Sequence, residues 1–400
     1  MSVTGTVLGI FFALVLSPFG AANLGFPAVI RRILRIVIQI LRSFPALILA
    51  LTATFLFGLG TFAGTFAITL YTFAIMTKLT YEDASAADVK AYQALRAMGV
   101  SKYVAYIHGI LPEIIPGFLT NALYLLETNV RHSSILGYVG AGGIGLLLNE
   151  KISWLEYDKV GTILLMLFLT VCVIEYFSRY LAALIRKERT IKKEQARLLL
   201  LFLAALFLIC TFTLSLPDFS RTSPQTLRNM FAGFLQPDWS FFFSAEKDGL
   251  GYLLLETVCI AFIGTVIGAI VSAPLAFLNT KRFVPAPVSF LFNLVIMVIR
   301  SVPFLVYGLI FIRVSGPGAF TGVLTLAVCS IGLLTKRFTE ALDALDPRPY
   351  HALLAMGVRP LPAICHSVLP QLKPVFTSII LYRFDVNIRE ASVLGLVGAG

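Results

Sequence analysis

The chain has 400 residues, of which 58% are hydrophobic and 13% are charged, with a formal net charge of +11 at pH 7. A soluble domain has about 45–50% apolar and about 25% charged residues, so this composition predicts an integral membrane protein. The positive charge is typical of Lys and Arg in cytoplasmic loops, and we expect no nucleic-acid partner. The five cysteines form no Cys-x-x-Cys or Cys/His cluster, so neither a disulfide framework nor a metal site is predicted.

About ten apolar stretches are long enough to cross a bilayer, which takes about 20 residues per helix. The first has no Lys or Arg ahead of its apolar run, so we interpret it as a membrane segment rather than a signal peptide. The second is unusually long and should bend at Pro45. In chain order the stretches are roughly 3–20, 29–57, 58–79, 112–130, 158–185, 198–216, 251–278, 286–313, 317–336 and 370–388.

The distribution of Lys and Arg predicts the orientation of these segments. The stretch IRKERTIKKEQAR is dense in both, so the positive-inside rule places residues 186–197 in the cytoplasm. Alternation along the chain then places 78–109 and 336–367 inside as well. The loop 217–250 lies outside in this topology.

The chain contains the same membrane domain twice. ALRAMGVSKYVAYIHGILPEIIP at 94–116 realigns with ALLAMGVRPLPAICHSVLPQLKP at 352–374, an offset of 258 positions (352 minus 94). An even number of crossings lies between matching points, so the repeats are parallel. We expect the two halves to face each other about an axis along the membrane normal, with a path between them.

The repeat divides the chain into a first membrane domain at 1–185, a basic cytoplasmic linker at 186–197 and a second membrane domain at 198–400. The first copy begins inside its first segment, and the second stops at Gly400 within a glycine motif. The sequence leaves open whether the chain is a fragment or a shortened gene product.

A glycine-rich stretch, GAGGIG at 140–145, formally fits the G-x-G-x-x-G dinucleotide pattern. That mechanism needs a strand, a turn and a helix, with an acid about 20 residues later. Here the stretch lies between two predicted spanning helices, and Leu165 occupies the position of the acid. We therefore expect the glycines to allow close packing or bending at the outer mouth of the path. The chain also has no G-x-x-x-x-G-K-[ST] loop, so ATP hydrolysis requires a separate subunit.

The stretch QALRAMGVSKYVAYIHGILP at 93–112 is predicted to form two short cytoplasmic helices broken at Gly99, with Pro112 in the first turn of the next helix. A single copy would read as an ordinary loop. Two copies with the same spacing make the pattern specific.

This segment resembles the EAA loop of ABC importer permeases, whose pattern is Glu-Ala-Ala, three residues, Gly, nine residues, Ile, one residue and Leu-Pro. The matching positions in the two copies are Ala94, Gly99, Leu111 and Pro112, and Ala352, Gly357, Leu369 and Pro370. Gln93 and His351 replace the family's Glu, and Gly109 and Ser367 replace its Ile. The resemblance implies that these loops couple the chain to its ATPase.

Other stretches, VIRSVPFLVYGLIF, LYRFDVNIREASVLGLVGAG and ETNVRHSSILGYVGAGGIG, resemble the phosphonate permease subfamily. The resemblance implies an all-α polytopic fold with about ten transmembrane helices in two tandem parallel-repeat permease domains, located in the bacterial plasma (inner) membrane among its lipids. It implies an ABC ATPase dimer that carries ATP and Mg, no cofactor on this chain, and an extracytoplasmic solute-binding protein. The implied substrate is phosphonate or a related phosphorus oxyanion.

Three alternatives remain open at this point. The first is an importer permease for amino acids or other organic anions. The second, from a different class, is an ATP-independent secondary transporter. The third is a membrane enzyme, which the sequence disfavours because it has no acid/base or metal constellation.

Charged residues recur where the predicted spans approach the outer surface. An acid precedes an arginine by four residues in both copies, which allows pairing along one helical face, and an asparagine lies between them. Each pair is either a structural clasp or part of a vestibule in which arginine attracts an anion. A second candidate pair of arginines precedes Pro45 and Pro303. The predicted path residues are Glu127, Asn129, Arg131, Asp385, Asn387, Arg389, Arg42 and Arg300.

Overall fold

The computed structural model describes residues 1–185 and 249–398, together with positions 205, 207–214, 228–229, 232–233, 236 and 239–242. The chain divides into two compact units, Met1–Gln236 and Pro237–Gly400. The linker 186–197, and most of the stretches 198–216 and 217–250, lie outside the described residues. The domain boundary at the linker therefore stays a prediction.

The first unit is built around a bundle of long helices. A 95° bend separates the second and third helices at the predicted Pro45, and α1 packs along α4 while both contact α7. The helices are α1 (Ser2–Gly20), α2 (Ala28–Ser43), α3 (Ala46–Phe57), α4 (Thr61–Ala86), α5 (Lys90–Ala97), α6 (Lys102–Gly109), α7 (Leu111–Leu136), α8 (Ile144–Ser153) and α9 (Tyr157–Ile185).

The second unit repeats this arrangement. Its helices are α10 (Leu250–Asn279), α11 (Ala286–Ser301), α12 (Phe304–Ser315), α13 (Ala319–Ala344), α14 (Arg348–Ala355) and α15 (Leu369–Leu394). The α11–α12 pair bends by 84° at Pro303. Before α15, a helical turn at Pro360–Ala363 leads into Ile364–Val368, which has the hydrogen-bonding pattern of a π-helix.

The helix bounds confirm the repeat seen in the sequence. Both ends of α2 and α11 differ by 258 positions (286 minus 28), and the same offset relates α3 to α12, α4 to α13, α5 to α14 and α7 to α15. The two copies therefore share their local structure element by element.

Among the described residues, six helices are long and apolar enough to span a membrane. The number rises to nine if each of three bent pairs, α2–α3, α6–α7 and α11–α12, is counted as one span. These nine correspond to nine of the ten predicted segments, and the tenth, 198–216, lies mainly outside the described residues. The predicted ends were wrong in several cases: α4 ends at Ala86 instead of 79, α7 at Leu136 instead of 130 and α13 at Ala344 instead of 336. Hydropathy falls at the first charged residues, whereas a helix satisfies its own backbone and continues beyond the apolar layer.

The glycine motif in the loop after α7 is hydrogen-bonded to the short break between α3 and α4. The Gly60 amide donates to the Gly140 carbonyl at 3.0 Å, and the Gly318 amide donates to the Gly398 carbonyl at 3.0 Å in the second copy. All four glycines have positive φ, from +78° to +149°, a region that residues with a Cβ rarely adopt. Helices flank the first motif on both sides, which fits a packing role rather than a nucleotide site.

Candidate functional site

The two predicted coupling loops have the same backbone geometry. Gly99 and Gly357 each have φ of +82° and end a short helix, as the sequence predicted. The Val100 amide donates to Leu95 O at 3.2 Å and the Gly99 amide to Arg96 O at 3.1 Å, which together form a Schellman motif. The equivalent bonds in the second copy are 3.1 Å and 3.0 Å. Both loops therefore reverse direction through a left-handed glycine.

A shared aspartate cap begins the first helix of each loop. Asp88 Oδ1 accepts from the Lys90 amide at 3.0 Å, and Asp346 Oδ1 accepts from the Arg348 amide at 3.0 Å. The bond from the Lys90 amide holds the pKa of Asp88 below its usual range. Since a lowered pKa stabilises the folded form above the ordinary pKa of the group, this contribution persists at neutral pH and is lost only in acid.

One face of α5 is anchored in the first unit. Tyr92 is buried, and its hydroxyl donates to Leu24 O at 2.6 Å. Burial raises the pKa of Tyr92, which keeps the hydroxyl protonated as a donor. Ala105, Tyr106 and Ile110 join the same buried cluster, so the loop is held firmly from behind.

The opposite face of each loop is exposed. Gln93, Ala94 and Gly99 are exposed, as are His351, Ala352 and Gly357. The residues at the two tips, Met98 and Met356, are 70% and 78% exposed. Sequence reasoning missed these methionines, although the duplicated Ala-Met-Gly carried the signal. An exposed methionine beside a rigid turn is a flexible apolar contact for a partner surface.

Two of the four positions where the sequence departs from the family pattern, Gly109 and Ser367, have structural explanations. A Cβ on Gly109 would lie 2.9 Å from Cα of Tyr92, so glycine allows α6 to cross α5 closely. Ser367 instead donates from Oγ to Ala363 O at 2.6 Å, within the π-helical turn. Leu111 with Pro112, and Leu369 with Pro370, begin α7 and α15.

The predicted acid–arginine pairs both form, but they differ in exposure. Arg131 donates from Nη2 to Glu127 Oε1, and the two side chains are 13% and 6% exposed. Arg389 donates from Nη2 to Asp385 Oδ2, and these side chains are 24% and 61% exposed. The first pair is therefore largely buried in its unit, and the second is more accessible.

The two predicted path asparagines lie inside their units. Asn129 is fully buried and donates from Nδ2 to Thr6 Oγ1 at 2.8 Å and to Thr72 Oγ1 at 2.7 Å. Asn387 donates in the same way to Thr265 Oγ1 at 2.7 Å and to Ser330 Oγ at 2.9 Å. Each asparagine thus joins three helices of one unit through its amide nitrogen.

The arginines before the bends are also packed into their units. Arg300 is 9% exposed, and its Cγ would lie 2.9 Å from a Cβ placed on Gly332. Arg42 is half-buried at the equivalent position of the first copy. Both belong to the last turn before a bend, as the sequence predicted.

A buried ion pair in the second unit was missed. Arg383 donates from Nη2 to Glu390 Oε2 at 2.8 Å and from Nε to Ser330 Oγ at 3.2 Å. The aligned residues of the first copy are Leu125 and His132, so a search for charges present in both copies overlooked this pair. Its signal was an Arg and a Glu two helical turns apart, the Arg inside the predicted span 370–388 and the Glu just beyond its end.

These loops and bundles define a membrane transport subunit. Residues 5–191 and 264–400 match the family described as "Binding-protein-dependent transport system inner membrane component". The chain belongs to this family. It is a multi-pass protein of the bacterial inner membrane, and it is the permease subunit of an ABC importer rather than an enzyme.

Similarity to characterised relatives extends over the full chain. The "Phosphate-import permease protein PhnE" of Mycolicibacterium smegmatis is 27% identical over 408 residues, which cover 100% of this chain and 76% of that protein. The "Phosphite transport system permease protein PtxC" of Stutzerimonas stutzeri is 37% identical over 148 residues, or 37% of this chain and 54% of that protein. A chain of the solved inward-facing MetNI methionine ABC transporter is 23% identical, covers 46% of this chain and 92% of its own length, and has a TM-score of 0.40.

Proposed function

We propose that this chain forms the transmembrane path of an importer for phosphonate or a related phosphorus oxyanion. A binding protein outside delivers the solute, and a separate ATPase dimer carrying ATP and Mg drives transport from the cytoplasm. The observation that carries the coupling part of this proposal is the pair of loops around Gly99 and Gly357. Both are exposed in front and closed by the same Schellman motif, and the buried Tyr92 anchors the first of them from behind.

An ATPase dimer needs two docking sites, and one chain with two such loops supplies both. In each loop the exposed face carries a polar residue, Gln93 or His351, and a methionine at the tip. Closure of the dimer would move the two loops, and α7 and α15 follow them directly in the chain. This continuity offers a direct route from ATP binding to the spanning helices.

The substrate class is supported by two observations. Relatives that cover all or part of the chain are named for phosphate and phosphite transport. Arg131 and Arg389 recur at equivalent positions near the predicted outer ends of α7 and α15, and a guanidinium matches the oxygens of a phosphorus oxyanion. The accessible Arg389 is the better placed of the two to meet a solute.

The test is uptake by the complex purified from its native membrane and reconstituted in proteoliposomes with its binding protein. We expect ATP-dependent uptake of labelled phosphonate, phosphite or phosphate, with competition among them and none from an amino acid. Uptake of an amino acid instead would contradict the oxyanion proposal and support an importer of amino acids or other organic anions. Uptake at the same rate without ATP would identify a secondary transporter.

A further inference from the structure

The helix α2 carries charges that its copy lacks. Arg31, Arg32 and Arg35 occupy positions where α11 has Ser289, Phe290 and Asn293, and only the arginine before the bend is shared. The bounds of the two helices coincide after the repeat offset. The extra arginines therefore sit on the same scaffold as uncharged residues of the second copy.

The contacts of Arg35 fix the depth of this helix in the unit. Its Nε donates to the carbonyl of Gly20, the last residue of α1, at 3.0 Å, and its guanidinium lies 5.1 Å from the centre of the Tyr81 ring near the end of α4. Both helix ends belong to the predicted cytoplasmic side. Arg31 and Arg32 precede Arg35 by one turn, so they lie at or beyond this boundary.

Two of these arginines have no side-chain partner among the described residues. Among the described residues, neither Arg31 nor Arg32 makes a side-chain hydrogen bond or an ion pair, and Arg32 is exposed. Lys102 adds a third positive charge nearby, since its Nζ donates to the carbonyl of Gly25 in the segment that leads into α2. Arg31, Arg32 and Lys102 thus place three positive charges around the start of α2.

An apolar stripe runs along α2 beside the arginines. Val29 is 69% exposed and Ile33 is 57% exposed, and Ile36, Val37 and Ile40 continue the stripe. Apolar residues next to basic residues at a membrane boundary match a lipid, with acyl chains along the stripe and the phosphate at the guanidinium groups. A free anion would use the arginines but would leave the stripe without a role.

We propose that α2 binds the headgroup of an anionic phospholipid in the cytoplasmic leaflet through Arg31 and Arg32. Arg35 is a positioning residue that fixes the helix to the ends of α1 and α4. Because α11 lacks all three arginines, each chain has one such site, in its first half only. The proposed ligand is a membrane lipid and is distinct from the transported solute.

The site is tested on the complete chain, delipidated in detergent, with native mass spectrometry and thermal unfolding during titration with phosphatidylglycerol or phosphatidylcholine. We expect phosphatidylglycerol to bind the wild type and raise its unfolding temperature more than phosphatidylcholine does. Arg31→Gln with Arg32→Gln should weaken phosphatidylglycerol binding about 25-fold, since each basic side chain at an anionic surface contributes about 1 kcal/mol. Arg31→Lys with Arg32→Lys should retain most of the binding, which separates lost charge from misfolding.

The matched control removes the same charge from the predicted cytoplasmic side of the second half, as Lys281→Gln with Arg337→Gln. Binding by this control should equal that of the wild type. The proposal is overturned if the Arg31 and Arg32 glutamine variant binds phosphatidylglycerol as the wild type does, or if the control loses binding equally. It is also overturned if inorganic phosphate competes as well as the lipid, or if the glutamine variant loses its ATPase instead of its lipid.

Discussion

At the scale of single residues, the structure separates charges that the sequence grouped together. Glu127, Asn129 and Arg131 lie within five positions, but Asn129 bonds to hydroxyls of two other helices while the charged pair bonds to itself. Helical spacing predicted the ion pair, because residues four apart share a face. It could not predict the threonine partners of Asn129, which come from α1 and α4 and depend on tertiary packing.

Replacing both Glu127 and Arg131 distinguishes a transport role of Arg131 from a purely structural ion pair. In the variant Glu127→Gln with Arg131→Gln, the two amides can still bond to each other, so we expect normal folding. We expect oxyanion uptake to fall about tenfold or more, because a hydrogen bond to a charged group contributes about 1.5–3 kcal/mol. Uptake per folded molecule in proteoliposomes is the measurement.

The control for this variant is the ion pair between Lys159 and Glu156, which are 2.8 Å apart near the predicted outer end of α9 and whose side chains are 54% and 29% exposed. Glu156 also pairs with Lys151 at 3.1 Å. Glu156→Gln with Lys159→Gln should transport normally. Normal uptake by the Glu127 and Arg131 variant as well would show that the buried pair is only a clasp.

The amide of Asn129 is predicted to stabilise the first unit. Asn129→Leu removes two buried hydrogen bonds and leaves the hydroxyls of Thr6 and Thr72 without their donor. We expect a loss of about 1–3 kcal/mol in the free energy of unfolding, measured by denaturation in detergent. Asn121→Leu on the same helix should change stability little, because this half-buried residue makes no side-chain hydrogen bond to the described residues. If both variants have the same free energy of unfolding, the prediction that Asn129 stabilises the first unit is wrong.

At the scale of elements, the apolar stretches and the positions of proline and glycine predicted much of the described helical structure. Pro45 and Pro303 mark the bends between α2 and α3 and between α11 and α12, and Gly99 marks the reversal between α5 and α6. Those residues act locally, since proline lacks an amide hydrogen and glycine permits positive φ. The true ends of α4, α7 and α13 were missed because helix length beyond the apolar layer depends on backbone bonding rather than hydropathy. The hydrogen bond between Gly60 and Gly140 could not be predicted from the sequence, since it joins residues 80 positions apart (140 minus 60).

The two loop glycines are predicted to control coupling through their backbone conformation. A Cβ would meet nothing within 4 Å at Gly99, Gly357 or Gly161, but only Gly99 and Gly357 have positive φ. Valine at Gly99 or Gly357 should strain the turn by roughly 1–2 kcal/mol and reduce ATPase association and uptake. Gly161→Val is the matched control and should behave as the wild type. The measurement is ATPase co-purification beside uptake, and equal values for all three variants would contradict a coupling role for the turns.

At the scale of the whole molecule, duplication is the feature that the sequence predicted best. The offset of 258 positions between matching motifs reappears in the bounds of five helix pairs. Differences between the copies were harder to interpret, because Arg383, Glu390, Arg31, Arg32 and Arg35 occur in one copy only. Their meaning depends on which neighbouring helices they touch, and that information is in the packing rather than in the spacing.

The central claim is that one chain supplies both docking sites of an ATPase dimer, and the most direct test is the stoichiometry of the purified complex. Native mass spectrometry of the complex should find two ATPase subunits for each copy of this chain. Gly99→Val and Gly357→Val should each shift the population toward complexes that have lost one ATPase subunit, and the double variant should lose both. A wild-type complex with two copies of this chain for each ATPase dimer, or full ATPase occupancy in the double variant, would contradict the account.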